Sequence, residues 1–221
     1  VISDYPTIKV YDYIIVRNSS SKTPLMVFDK SNGKFVKYIG NVGRGPGEYS
    51  IPARNFYNFY NKLFYTLDYS HREVKILNID GEILSNFKIP DIIESSVRGG
   101  KLGLSFYTYL DDRTYVSYID NFTGVIGTKL VIFNRDSIIK TFPNFQRWGE
   151  NDITRNHRPS FNPQFFRWDN NLYFKEAFND TVFRVTIDKL IPRIVFKNGK
   201  FGLPYEQQQL ISPSIDKISG D

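Results

Sequence analysis

The stretch LMVFDKSNGKFVKYIGNVGRGPGEY, Leu25 to Tyr49, decides the fold. Leu25-Met26-Val27-Phe28 is a short apolar run without polar alternation, as expected of a strand covered on both faces. Ser31-Asn32-Gly33 supplies turn chemistry, and Phe35 to Ile39 resumes the strand. Gly43-Arg44-Gly45-Pro46-Gly47-Glu48-Tyr49 then makes a glycine-proline corner. The unit is a β-hairpin followed by a sharp change of direction.

That hairpin recurs. Val74 to Leu77 with Asn78-Ile79-Asp80-Gly81 and Glu82-Ile83 repeats it. Leu130 to Phe133 with Asn134-Arg135-Asp136 and Ser137 to Ile139 repeats it again, and Val182 to Val185 with Asp188-Lys189-Leu190 is a weaker fourth copy. Aligning Phe28, Leu77, Phe133 and Val185 gives spacings of 49, 56 and 52 residues, a period at which arrays of four-stranded units occur. The four core positions are therefore expected to be equivalent and buried.

Working outward, Thr7 to Val10 and Tyr13 to Val16 precede the first hairpin and complete four strands. The second unit runs from about Asn55 through the turn Tyr60-Asn61-Lys62 and Leu63 to Leu67. Its last strand, Glu82 to Ile89, puts Ile83, Phe87 and Ile89 on one face and Asn86 and Lys88 on the other. The third opens after Arg98-Gly99-Gly100 with Leu102 to Tyr109, turns at Asp111-Asp112-Arg113 and closes at Phe142-Pro143. The fourth comprises Gln164 to Trp168, Leu172 to Phe178, Thr181 to Ile187 and Leu190 to Phe196, with Pro192 suiting an edge strand because no N–H is needed there. The expected units are 7–40, 53–90, 100–144 and 162–198 within a body spanning 1–198, and 199–221 is expected to be a connector.

The composition of the 221 residues fits this: 41% hydrophobic, with 19 Phe and 15 Tyr, is ample for a packed β core. The formal charge of +6 comes from Lys and Arg scattered among Asp and Glu, with no basic run and no basic groove beside the aromatics, so nucleic acid is not an expected partner. Tyr57, Phe59, Tyr60 and Tyr65 read as core between units. Zero cysteines exclude disulfides, thiolate metal sites and a cysteine nucleophile. No apolar run approaches the length that spans a bilayer, and Val1 to Asp4 is not a signal peptide, so any targeting segment or lipid anchor is expected outside these residues.

Four-stranded antiparallel units with inner strands apolar on both faces and half-polar last strands are the pattern of β-propeller blades. Phe28-Asp29-Lys30, Gly33-Lys34-Phe35, Ile39-Gly40 and the Gly43 to Tyr49 corner resemble the early blade signature of the six-bladed β-propellers of bacterial exported and lipid-anchored proteins, relatives of NHL and TolB-type propellers. Phe178-Asn179-Asp180-Thr181-Val182-Phe183 resembles a later signature of that family. The resemblance implies an all-β propeller, an extracytoplasmic location in the periplasm or on the outer cell surface, and six blades where four are recognisable. An incomplete six-bladed ring is the favoured expectation over closure as four.

Catalytic motifs are sparse. With two histidines and no H-E-x-x-H, a histidine-rich metal site is not expected, no G-x-S-x-G elbow is present, and no cofactor is implied. The glycine corner lacks the G-K-[ST] ending of a phosphate loop. Its expected role is architectural, with Gly45 and Gly47 at positive φ, Glu48 accepting backbone hydrogen bonds, and partner contact by Arg44 and Glu48 as the alternative. Asp111-Asp112 and the repeat aspartates Asp29, Asp80 and Asp136 read as turn formers. His71, in the loop Asp68 to Arg72, is a candidate contact residue.

The longest stretch without a strand, Asn144 to Pro163, holds Trp148, Arg155, His157 and Arg158. An aromatic platform with guanidinium groups suits a sugar ring or a carboxylate, and Arg98 and Arg44 join it if their loops reach the same end. The expected function is therefore a non-enzymatic binding or scaffold propeller that grips a protein partner or glycan through its blade-connecting loops. The alternatives are a channel-mouth hydrolase or lyase acting on sugars or lactones, and a structural module using exposed strand edges.

Overall fold

The computed structural model of the chain describes residues 7–10, 13–17, 25–43, 45, 48–49, 52–58, 60–68, 71–93, 101–102, 106–121, 125–146, 163–177, 179–199 and 202. Apart from a tight helical turn at Gly199, all regular structure within them is β. The chain divides into two compact units, Val1–Ile89 and Pro90–Asp221, each holding two four-stranded antiparallel sheets. The protein is all-β, built of four blades of the β-propeller type.

In the first unit, β1 (Thr7–Val10), β2 (Tyr13–Arg17), β3 (Leu25–Asp29) and β4 (Phe35–Ile39) form blade 1 in that order. The short strands β5 (Asn41–Val42) and β6 (Glu48–Tyr49) pair in parallel across the corner. Blade 2 follows as β7 (Pro52–Asn58), β8 (Leu63–Asp68), β9 (Glu73–Leu77) and β10 (Ile83–Lys88). In the second unit, the pair β11 (Ile92–Ile93) and β12 (Lys101–Leu102) precedes blade 3, made of β13 (Phe106–Tyr109), β14 (Tyr115–Tyr118), β15 (Thr128–Phe133) and β16 (Ile138–Pro143). Blade 4 comprises β17 (Gln164–Trp168), β18 (Asn171–Lys175), β19 (Thr181–Val185) and β20 (Leu190–Val195). Leu102 thus pairs with Ile92 instead of opening β13. Pro192 lies in β20, the edge strand, opposite a register shift.

Within each unit the two sheets pack face to face. Ile15, Leu25, Val27 and Ile39 of blade 1 meet Tyr57, Phe64 and Leu77 of blade 2. In the second unit Val116, Tyr118, Leu130, Ile132 and Phe142 of blade 3 meet Leu172, Phe174 and Val185 of blade 4. Burial of this kind is worth roughly 25 cal/mol for each Å² of apolar surface removed from water. The middle strands are buried on both sides, as in β14 and β15, whereas β16 and β20 are mostly exposed. This gradient explains why middle strands read as unbroken apolar runs and last strands as half polar.

Cross-strand register makes the four hairpins equivalent: Phe28 faces Ile14, Leu77 faces Phe64, Phe133 faces Tyr115 and Val185 faces Leu172. Leu77, Phe133 and Val185 are buried as expected. Phe28 is only partly so, with its ring edge-on to Phe35 at 5.7 Å. Tyr57 and Tyr65 are core, but Tyr60 is exposed at a turn, and Phe59 lies outside the described residues.

The residue after each core position caps its turn. Asp29 Oδ1 accepts from Ser31 N–H at 2.7 Å, Asn78 Oδ1 from Asp80 N–H at 2.9 Å, and Asn134 Oδ1 from Asp136 N–H at 2.9 Å, while Thr186 Oγ1 accepts from Lys189 N–H at 3.0 Å. Asp80 and Asp136 are thus donors' backbones in these turns, not the capping side chains; the side chain that competes best for a free N–H sits two residues earlier. Asp111 does cap, accepting from both Arg113 and Thr114 N–H. Serine donors hold the Asp29 carboxyl below its usual range. Of the expected connector 199–221, only Gly199 and Gly202 are described.

Candidate functional site

Of the eight candidate binding residues, Glu48 and His71 lie among the described residues; Arg44, Arg98, Trp148, Arg155, His157 and Arg158 lie outside them. Glu48 and His71 belong to one polar network in the first unit, joined by two residues the motif search passed over, Asp68 and Lys75.

The network starts at the corner. Gly45 N–H donates to Glu48 Oε2 at 2.7 Å, and Glu48 N–H donates to Gly45 O at 3.1 Å. A Cβ added to Gly43 would lie 2.0 Å from Glu48 Oε2, so the missing side chain is the space the carboxylate occupies. Neither Gly43 nor Gly45 takes a left-handed φ, which corrects the expectation for Gly45; Gly40, at +71°, does. Gly47 lies outside the described residues. Glycine serves here through close approach more than through turn conformation.

From the corner, Lys75 Nζ donates to Glu48 O at 2.6 Å and lies 3.2 Å from Asp68 Oδ2, and His71 Nδ1 meets the same oxygen at 3.0 Å. Asp68 is wholly buried, while the His71 side chain is 64% exposed. A buried carboxylate requires such partners. When Nδ1 donates to Asp68, the imidazole is held in one tautomer with Nε2 as its basic nitrogen.

A second network lies in the other unit. Glu176 sits four residues beyond Leu172, as Asp68 sits four beyond Phe64, at the same point of the blade. Buried Lys129 of blade 3 forms an ion pair with Glu176 Oε1, which also accepts from Asn179 Nδ2 at 2.9 Å. Asn179 Oδ1 in turn accepts from Thr181 N–H at 3.0 Å, which accounts for the asparagine of the Asn-Asp-Thr-Val-Phe signature. Burial, then the charges of Glu176 and Asp120, push the Tyr118 hydroxyl's pKa well above its usual value. Arg167 clamps blade 4 onto blade 3, donating to Tyr109 O and to Leu110 O at 3.0 Å, with its guanidinium 3.8 Å above the Tyr109 ring centroid.

These networks tie blade to blade and blade to connector. Among the described residues no group of three or more His, Cys, Asp or Glu is placed to hold a metal ion. No helix among them is long and apolar enough to cross a membrane. Sequence reasoning missed Asp68, Lys75, Lys129 and Glu176 because each looks like an ordinary charge in or beside a strand. The signal available was an acid four residues past both Phe64 and Leu172, second-strand positions that correspond once the hairpins are aligned.

The root of the longest connection is also described. Asn144 N–H donates to Gly127 O at 2.7 Å, Gln146 N–H donates to Asn144 Oδ1 at 3.1 Å, and Asn121 Nδ2 donates to Gln146 O at 2.9 Å. Asn121 and Asn144 are buried, yet Phe145 between the clamped positions is 79% exposed.

Over residues 1–220 the chain matches the family described as a domain of unknown function, DUF4934, and it belongs to that family. No curated protein matches it. Among solved structures it is similar to one described as a "Putative exported protein" from Bacteroides fragilis, at 21% identity and a TM-score of 0.65, covering 89% of this chain and 52% of that one. It is also similar to a member of the DUF4221 family from Bacteroides vulgatus, at 12% identity and a TM-score of 0.61, covering 88% and 58%. The chain spans a little over half the length of these structures, and likeness at such identities bears on the fold alone.

Proposed function

We propose that this chain is part of a six-bladed, extracytoplasmic β-propeller that binds a protein partner or a glycan through its blade-connecting loops, without catalysis. The observation that carries the reading is the root of the 144–163 connection: two buried asparagines fix its backbone while Phe145 stands in solvent. A rigid stem bearing an exposed aromatic is what a recognition loop needs, since ordering costs are met before the partner arrives. In this reading Trp148 stacks on a sugar ring or apolar side chain, and Arg155, His157 and Arg158 meet hydroxyls or carboxylates, with Arg44 and Arg98 contributing from neighbouring loops. Glu48 belongs to the corner, and its carboxylate is already engaged. The six-blade ring and the location rest on the resemblance of the two blade signatures, on the chain's partial span of longer similar structures, and on the description of one of those as an exported protein.

The test is a glycan array and a pull-down from the outer compartments of the source bacterium, with the parent and the Phe145→Ala, Trp148→Ala and Arg158→Ala variants. Each substitution is expected to weaken binding about ten-fold, the equivalent of roughly 1.4 kcal/mol. Binding equal to the parent in all three would remove the loop from the site. The enzyme alternative, a hydrolase or lyase acting on sugars or lactones, has the Asp68–His71 pair in its favour. Turnover of such a substrate, lost in His71→Ala, would establish it.

A further inference from the structure

Each blade presents two faces, and the repeat shows which residues a following blade covers. In blades 1 and 3 the positions covered by the next sheet are Ile15 and Val116 on the second strand, Leu25 with Val27 and Leu130 with Ile132 on the third, and Ile39 and Phe142 on the last. Register carries these positions onto blade 4. Val116 faces Ile132 as Tyr173 faces Arg184, and Leu130 faces Phe142 as Val182 faces Ile194.

This forward face of blade 4 is apolar and partly open. Ile194 is 46% exposed. On β17, Phe166 stacks on Tyr173 at 5.4 Å and Trp168 lies 6.1 Å from the same ring; they are 42% and 68% exposed. A solvent-facing Trp, Phe and Ile on one sheet face is costly unless something covers them. The polar pattern points the same way. Arg184 stands where blades 1 and 3 have the buried aliphatics Val27 and Ile132, and among the described residues its Nε–H is buried without an acceptor. An unpartnered buried donor on an interface face calls for an acceptor from across that interface.

We propose that the forward face of blade 4 is a blade-docking surface, covered by a fifth four-stranded blade of the same polypeptide. The covering blade brings an apolar back face onto Phe166, Trp168, Tyr173 and Ile194 and a carbonyl or carboxylate oxygen to the Arg184 Nε–H. The occupant is argued from continuity with the two interfaces already present, where equivalent positions meet the back face of another blade. The inference rests on the six-blade reading and adds which face is used and the polar contact that registers it.

Trp148 and Trp168 are the two tryptophans of the sequence, so Trp148→Phe leaves Trp168 as the sole indole reporter. The test is the emission maximum and acrylamide quenching of Trp168 in that variant of the complete gene product, with its mass in solution measured in parallel. Expected is a blue-shifted emission and quenching several-fold weaker than for free indole, in a monomer. A red, fully quenchable Trp168 in a product that carries further blades overturns this inference and leaves the six-blade reading standing. A product carrying no further blade overturns both. Protection seen only in a species of twice the monomer mass overturns the proposal in favour of a second copy as the occupant.

Discussion

Gly43 and Glu48 form a lock in which one residue's missing side chain is the other's seat. Gly43→Ala must evict the carboxylate and with it the bond from Gly45 N–H, so it and Glu48→Ala should each cost about 1.5–3 kcal/mol, the range for a hydrogen bond to a charged group. The double variant should cost little more than either alone, because the second change removes nothing still present. Urea unfolding of the three variants measures this, and full additivity would dissolve the lock. Tyr118 supplies a pH dependence. Its folded pKa is raised, so its contribution to stability is complete below the ordinary tyrosine pKa, near 10, and is lost as pH rises above it. Absorbance at alkaline pH should show one tyrosine ionising only together with unfolding, and Tyr118→Phe should flatten the alkaline end of the stability curve. At this scale the sequence was legible in part. Glu48 as an acceptor of backbone N–H followed from the corner's composition, but the capping roles of Asn78 and Asn134 were hidden beside the more conspicuous aspartates. Composition marks a turn without saying which oxygen reaches which N–H.

At the scale of strands and blades, the buried Lys129–Glu176 pair joins blade 3 to blade 4. Removing one partner strands a charge in the core, so Lys129→Met or Glu176→Leu alone should cost about 3–5 kcal/mol, whereas the double replacement should restore much of that loss. Thermal unfolding of the singles and the double separates these cases, and a double variant as unstable as the sum of the singles would contradict the pairing. Phe133→Ala should likewise cost about 3–5 kcal/mol, and Phe28→Ala distinctly less, because Phe28 is only partly buried while Phe133 is fully so. The strands were the most legible feature of the chain: middle strands covered on both faces leave unbroken apolar runs, and last strands leave alternation. The interblade ion pairs were illegible because their partners lie far apart in sequence, 47 residues for Lys129 and Glu176. Only the register of four aligned hairpins brings Asp68 and Glu176 into correspondence.

For the molecule as a whole, the repeat explains why four segments of unlike sequence adopt one unit. Each needs an apolar residue near the end of its third strand, an oxygen to cap the next turn, and an apolar face for its neighbour. The first of those demands was visible in the 49-, 56- and 52-residue spacings. Recognition was less so: a loop's aromatic and cationic residues suggest a ligand class but not a geometry, since no periodicity constrains them. The central claim is that these blades belong to a single propeller that continues the same repeat. The measurement that bears on it most directly is a crystal structure of the complete gene product. The account predicts six four-stranded antiparallel sheets about one axis, each capping its third-strand turn as Asp29, Asn78, Asn134 and Thr186 do. A ring closed by four sheets, or further residues folded as anything other than blades, would contradict it.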